Sequence, residues 1–254
     1  MHLIAGVSSS CHAVVAFPRG IGQFLAAGPS VLIMEETKKT KKLWGDLERG
    51  ILTGRGIDIG CGSAPVSPDV RRFDMEDGDA NYITKHVQGQ FDYVYASHCL
   101  EHMYKPREAI LEWWKLVRVG GHIFFIVPDE DLYEQGVFPP RFNTDHKATF
   151  TLSKQKSWSP VSINVLELAS SLPNGKLISL YLQDQGYDRR LMKHGPVACG
   201  PVTHFTLRAY RALKRRTNIS IRLLERLRDS KTTYDQTLGP DAVAQIQCIV
   251  QKTA

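Results

Sequence analysis

The residues with the clearest capacity for chemistry run from Asp58 to His98. Asp58 stands two places before Gly60 in Gly56-Ile57-Asp58-Ile59-Gly60-Cys61-Gly62, where a short apolar run ends in glycines. Glycines at such a turn let backbone approach a ligand that a Cβ would block. An acid there can receive a ligand's ammonium group, directly or through water. Asp74 lies 12 residues after Gly62, at the end of a second short run, and can accept from both hydroxyls of a ribose. Met75 is suited to pack on an adenine face. Asp79-Ala80 sets an acid beside a small residue, suited to the adenine amino edge. Ser97-His98 closes the run Phe91-Asp92-Tyr93-Val94-Tyr95-Ala96.

Other groups have two readings each. His98 is a general base or site-lining group, or a histidine bonded only to backbone. Asp58 could cap the next segment, and Asp79 could form an Asx turn. Glu101 and His102 read as residues that tie a loop and cap the following helix. His146, in Asn143-Thr144-Asp145-His146-Lys147, is a base or substrate contact on a long loop, or an ordinary surface residue. Asp145 and His146 lack further ligands at diagnostic spacing, so no metal is expected. The five cysteines are scattered with no CxxC pair, which points to a reduced, cytoplasmic chain without a disulfide framework. The third glycine of a dinucleotide fingerprint would fall on Pro65, and no phosphate-loop motif occurs.

The elements that must position these groups follow from periodicity. Residues 35–55 are helix-compatible, with Leu43, Trp44, Leu47 and Ile51 at helical spacing. Strands are expected over 55–59, 70–75, 91–96, 122–128, 176–182 and 244–251. The spacing predicts a helix over 105–117, striped by Ala109, Ile110, Trp113, Trp114 and Val117 and stopped by Gly120-Gly121, and another over 160–172. Residues 134–150 read as a long loop. The alternation argues a parallel α/β sheet with right-handed crossovers.

The stretch from Arg55 to Pro128 resembles the class I S-adenosylmethionine-dependent methyltransferases. The marks are Ile57-Asp58-Ile59-Gly60-Cys61-Gly62, Phe91-Asp92-Tyr93-Val94, Leu100-Glu101-His102 and Val117-Arg118-Val119-Gly120-Gly121. Asp129 to Gln135 and Arg141 to Lys147 look closest to the small methyltransferases of bacterial surface-polysaccharide clusters. The resemblance implies a Rossmann-like, mostly parallel seven-stranded sheet with helices on both faces and an antiparallel last strand. It implies that Gly60, Cys61 and Gly62 contact the methionine part of S-adenosyl-L-methionine. Asp58 would serve its amino group, Asp74 the ribose, Asp79 and Ala80 the adenine, with Ser97 and His98 near the methyl donor. Two departures stand out. Ala64 replaces the usual third glycine, and the connection from Gly62 to Asp74 is short and proline-rich.

The resemblance leads to an O- or N-methyltransferase acting on a small molecule or a saccharide, with a lipid-linked acceptor included. A nucleic-acid methyltransferase and a catalytically idle cofactor-binding subunit are the rival readings. Ser97-His98-Cys99-Leu100 departs from the motif of DNA amino-methyltransferases, so DNA is not expected. The 254 residues are 43% hydrophobic and 23% charged, ordinary globular usage with a net charge of +6. They are read as a disordered tail or mis-assigned start over 1–34 and a single domain over 35–254. A loop at 129–157 and a basic helical insertion at 200–231 would lie over the site. The uncharged run 20–34 is too short for a confident membrane span. Membrane contact is expected to be peripheral at most, through the insertion.

Overall fold

The computed structural model describes residues 30–192 and 235–254. The helical insertion expected at 200–231 and the tail before residue 30 lie outside the described residues. Helix α1, Ser30–Lys42, crosses the boundary expected between residues 34 and 35, and α2 follows as Asp46–Ile51. The helical stretch read over 35–55 is thus two helices. Gly45 separates them, and its N–H donates to Glu48 Oε2 at 2.9 Å.

Strands β1 (Gly56–Ile59), β2 (Arg71–Phe73), β3 (Phe91–Ser97) and β4 (Val117–Pro128) come next, with α3 (Pro106–Lys115) between the last two. After two short strands, β5 (Thr149–Thr151) and β6 (Ser162–Asn164), come α4 (Val165–Ser170), β7 (Gly175–Gln183) and β8 (Gln245–Lys252). The central sheet has the order β2-β1-β3-β4-β8-β7, and β5 pairs only with β6. Strands β2, β1, β3 and β4 run parallel to one another, and β8 is antiparallel to both of its neighbours, β4 and β7. The sheet is therefore Rossmann-like with an antiparallel last strand. It has six strands rather than the expected seven among the described residues.

Three further expectations are corrected. The helix over 160–172 begins only at Val165, because Asn164 Oδ1 accepts from Glu167 N–H at 3.1 Å and caps it, while Ser162–Asn164 pairs with β5. The long loop ends in β5 instead of running through Phe150. Helix α3 stops at Lys115, so Gly120-Gly121 lies inside β4 instead of ending the helix.

The alternation of β3, β4 and β8 sorts their side chains onto two faces. Val94, Ala96, Ile123, Phe125, Val127, Ile246, Cys248 and Val250 meet Ile110 and Trp113 of α3 and Val165 and Leu168 of α4. Tyr93, Tyr95, Phe124, Ile126 and Ile249 meet Trp44 and Ile51 on the opposite face. No helix among the described residues is long and apolar enough to cross a membrane.

One fastening of loop 129–157 is a buried carboxylate. Glu130 is fully buried, and its Oε2 accepts from Thr149 Oγ1 at 3.0 Å and Ser162 Oγ at 2.6 Å. Its Oε1 accepts from Ser157 Oγ at 2.7 Å and Lys154 Nζ at 3.4 Å. One carboxylate thus joins the turn after β4 to both short strands. Glu130→Ala removes charge-assisted bonds and leaves the buried Thr149 hydroxyl unpaired, and is expected to cost about 2–3 kcal/mol. Urea denaturation checks this, and an unchanged midpoint would refute it.

Candidate functional site

Strand order reverses between β1 and β3, which places a crevice beyond their carboxyl ends. The turn after β1 carries Gly60 at φ +75° and Gly62 at φ +53°. A Cβ at Gly60 would lie 2.7 Å from Cys99 Sγ, so this glycine is what lets the turns after β1 and β3 touch.

Asp58, the third residue of β1, is buried, and its Oδ2 accepts from Val66 N–H at 2.6 Å. Burial pushes its carboxyl up to about 7, against the downward pull of the Val66 N–H and of Lys41. Lys41 comes from α1 and also reaches the Pro65 carbonyl at 3.4 Å; burial holds its ammonium below the usual range. Asp58 is a carboxylate short of positive partners.

The short connection from β1 to β2 contains no helix and brings Asp74 directly against the glycine turn. Asp74 Oδ2 accepts from Gly62 N–H at 2.5 Å, and Oδ1 from Met75 N–H at 2.8 Å. Its own N–H donates to Asp77 Oδ2 at 2.9 Å. Asp58, Gly60, Cys61, Gly62 and Asp74 thus share one turn. Met75 and Asp79 stand at its outer edge, exposed. Asp79 Oδ1 accepts from Asn81 N–H at 2.9 Å and Asn81 Nδ2 at 2.8 Å, so its carboxylate forms the Asx turn that opens residues 80–85. Ala80 packs on the core, and its carbonyl accepts from Trp113 Nε1 at 2.8 Å.

At the end of β3 the Ser97 hydroxyl is buried without a partner of hydrogen-bond geometry. His98 adopts φ +52°, a strained backbone for a residue other than glycine. Its ring bridges Gln245 Oε1, 2.9 Å from Nε2, and Glu101 Oε1, 3.3 Å from Nδ1. Burial acts to lower the imidazole, but the Glu101 carboxylate outweighs it and raises His98 above its ordinary value. So charged, His98 is a hydrogen-bond donor toward both Gln245 and Glu101.

His146 is buried with Nδ1 2.7 Å from Glu134 Oε1, and its ring faces Tyr133 and His102. The loop and the turn after β3 are joined by backbone, because the Glu101 carbonyl accepts from Lys147 N–H at 2.7 Å and Ala148 N–H at 3.3 Å. Glu101 therefore ties the loop. It does not cap α3, which follows Lys105 without a side-chain cap.

Lys41 and Gln245 take part in this site without any motif to mark them, and Glu134 lies in the run from Asp129 to Gln135, which assigned it no role. Gln245 had a visible signal, the polar side of an alternating strand, but that side is buried: Gln245 Nε2 donates to Gln183 Oε1 at 2.6 Å and Thr40 Oγ1 at 3.0 Å. Two surface hollows, of about 410 and 270 Å³, lie away from the glycine turn.

The residues present fit a cofactor with an ammonium group and a nucleoside. Burial outweighs the pull of Lys41 on Asp58, the Ser97 hydroxyl lacks a partner of hydrogen-bond geometry, and the turn between them is bare of side chains at Gly60 and Gly62.

The model of a family described as a methyltransferase domain matches residues 37–220. No curated protein matches the chain. Among solved structures, a SAM-dependent methyltransferase from Archaeoglobus fulgidus is 12% identical at a TM-score of 0.41, covering 86% of this chain and 94% of that one. Phosphoethanolamine N-methyltransferase 2 of Haemonchus contortus, in complex with S-adenosyl-L-methionine, is 11% identical at a TM-score of 0.41, covering 85% and 52%.

Proposed function

The chain belongs to the methyltransferase-domain family as a class I S-adenosylmethionine-dependent enzyme, and from that premise we propose that it methylates an O or N atom of an uncharged or cationic small molecule or saccharide. The carrying observation is Asp58, a buried carboxylate beside the bare glycine turn at the sheet's switch point.

When bound, the cofactor supplies a methyl group already activated by sulfonium charge. The chain's own work is binding, orientation and exclusion of water. Asp58 receives the ammonium, and Asp74 offers lone pairs to the ribose hydroxyls while its bond to Gly62 N–H holds the turn. Ser97 and His98 line the end nearest the acceptor.

Three carboxylates stand around His98, namely Glu36, Glu101 and, through His146, Glu134, against the charges of His98 and of Lys39, which pairs with Glu36. A cluster of this sign repels phosphate and sulfate and suits hydroxyls or amines as acceptors. That supports a saccharide or small-molecule acceptor over a nucleic-acid backbone.

Calorimetric titration with S-adenosylhomocysteine tests the cofactor site, with saturable binding in the micromolar range as the expected result. Absence of heat at high micromolar ligand would sink it. For the acceptor, methyl transfer from labelled cofactor is expected to neutral polyols or amines and not to their phosphorylated forms.

A further inference from the structure

The loop after β4 sets a second group of residues beside the cofactor turn. Glu101, His102 and His146 each offer one ligand atom, and these atoms lie within 4.8 Å of one another. Glu101 is fully buried, and neither carboxylate oxygen takes a hydrogen bond; its ion-pair partner is His98 at 3.3 Å. His98 balances this buried carboxylate from one side, and its oxygens, without hydrogen bonds, remain open to a second cation.

Both imidazoles are already oriented. His102 Nδ1 is 2.9 Å from Asp145 Oδ2, and His146 Nδ1 is 2.7 Å from Glu134 Oε1. No hydrogen bond among the described residues uses the Nε2 of either ring. A carboxylate on one ring nitrogen fixes the tautomer and leaves the other nitrogen's lone pair for a metal, the usual support of a metal-bound histidine.

We propose that Glu101, His102 and His146 bind a divalent transition cation of the zinc type, with Asp145 and Glu134 holding the two imidazoles in place. Two imidazole nitrogens and one carboxylate suit zinc and its neighbours, whereas calcium and magnesium prefer all-oxygen sets. Bonds of about 2.0–2.2 Å place ligand atoms roughly 3–4 Å apart, so the cluster closes by about an ångström on the ion. Three protein ligands leave at least one position for water or for an acceptor oxygen. The position is apt for an acceptor, because Cys99, two residues before Glu101, abuts Gly60 of the cofactor turn. That acceptor role rests on the methyltransferase reading; binding of the cation does not.

The test is calorimetric titration of the chelator-stripped full chain with zinc chloride, alongside a separate titration with S-adenosylhomocysteine. Cobalt(II), followed by visible absorption, is the second probe. About one equivalent of zinc is expected to bind. His102 is the ligand to replace, because it is partly exposed and its loss leaves the core intact. His102→Gln is expected to weaken zinc by about 100-fold and Asp145→Asn by about 10-fold, both with S-adenosylhomocysteine binding unchanged. Wild-type protein that binds S-adenosylhomocysteine but neither metal would overturn the proposal. So would a His102→Gln variant with wild-type zinc affinity. Zinc binding without S-adenosylhomocysteine binding would uphold the metal site and count against the cofactor reading alone.

Discussion

Asp58→Asn is expected to weaken S-adenosylhomocysteine about 10- to 100-fold, the size of a lost charge-assisted bond, while making the unliganded protein more stable at pH 8. Both effects come from the same burial. The carboxyl stands at about 7 in the fold, against roughly 3.9 in an unfolded chain. Below about pH 4 both states are protonated, and Asp58 contributes nothing to the pH dependence. Between those values the unfolded chain ionises first, so stability falls as pH rises. Above about pH 7 the penalty is complete, on the order of 4 kcal/mol for a shift of this size. Asparagine removes the penalty and still accepts from the Val66 N–H.

Cofactor binding runs the other way, because an ammonium needs the ionised carboxylate. Wild-type affinity is expected to drop from pH 8 to pH 6, with a proton released on binding near neutrality. Calorimetry in buffers of different ionisation heat reads that proton. Asp58→Asn should abolish both the pH slope and the proton release. A variant that keeps wild-type affinity, or keeps the slope, would remove Asp58 from the cofactor site. Thermal melts at pH 5 and pH 8 give the stability half, with the gain from asparagine larger at pH 8.

The pattern of Asp58 followed by two glycines was legible because it is local. A strand end, a bare turn and an acid all lie within seven residues, and the strands around them are runs of apolar residues with few rivals. The six strands of the central sheet are the six that periodicity marks; the seventh came only from the family resemblance. What the periodicity could not show is how distant segments change a residue's meaning. Gln245 and Gln247 look like the solvent side of an alternating strand. They are buried because Gln183 and Tyr181 of β7 and Glu48 of α2 supply partners. An alternating pattern reports two unlike faces; it does not say that the polar one is wet.

The same limit applies to the histidines. Asp145-His146 offered too few ligands to suggest a metal, and Glu101-His102 read as a loop tie. Only the return of the loop after β4, fastened by the Glu101 carbonyl and the Glu130 carboxylate, brings the pairs into one cluster. Lys41 was invisible for a similar reason. Nothing in α1 says that one of its several lysines will face the acid at the end of β1.

Gly60→Ala is expected to cost about 2–4 kcal/mol of stability and to abolish measurable cofactor binding. Two effects combine. Gly60 sits at φ +75°, where alanine is strained, and its Cβ would fall 2.7 Å from Cys99 Sγ and 2.8 Å from Cys99 Cβ. Cys99 is itself buried and has no open space to move into. Either the turn after β1 rises or the turn after β3 gives way. The first displaces Gly62 and its bond to Asp74, and the second displaces His98 and Glu101. The double variant Gly60→Ala with Cys99→Ala separates the two causes. It removes the sulfur contact but keeps the Cβ contact and the backbone strain, so it should recover part of the stability and little of the binding. Full recovery would show that the sulfur alone enforces glycine here. No recovery would show that the left-handed backbone and the Cβ contact do, a coupling that a double-mutant cycle reads directly.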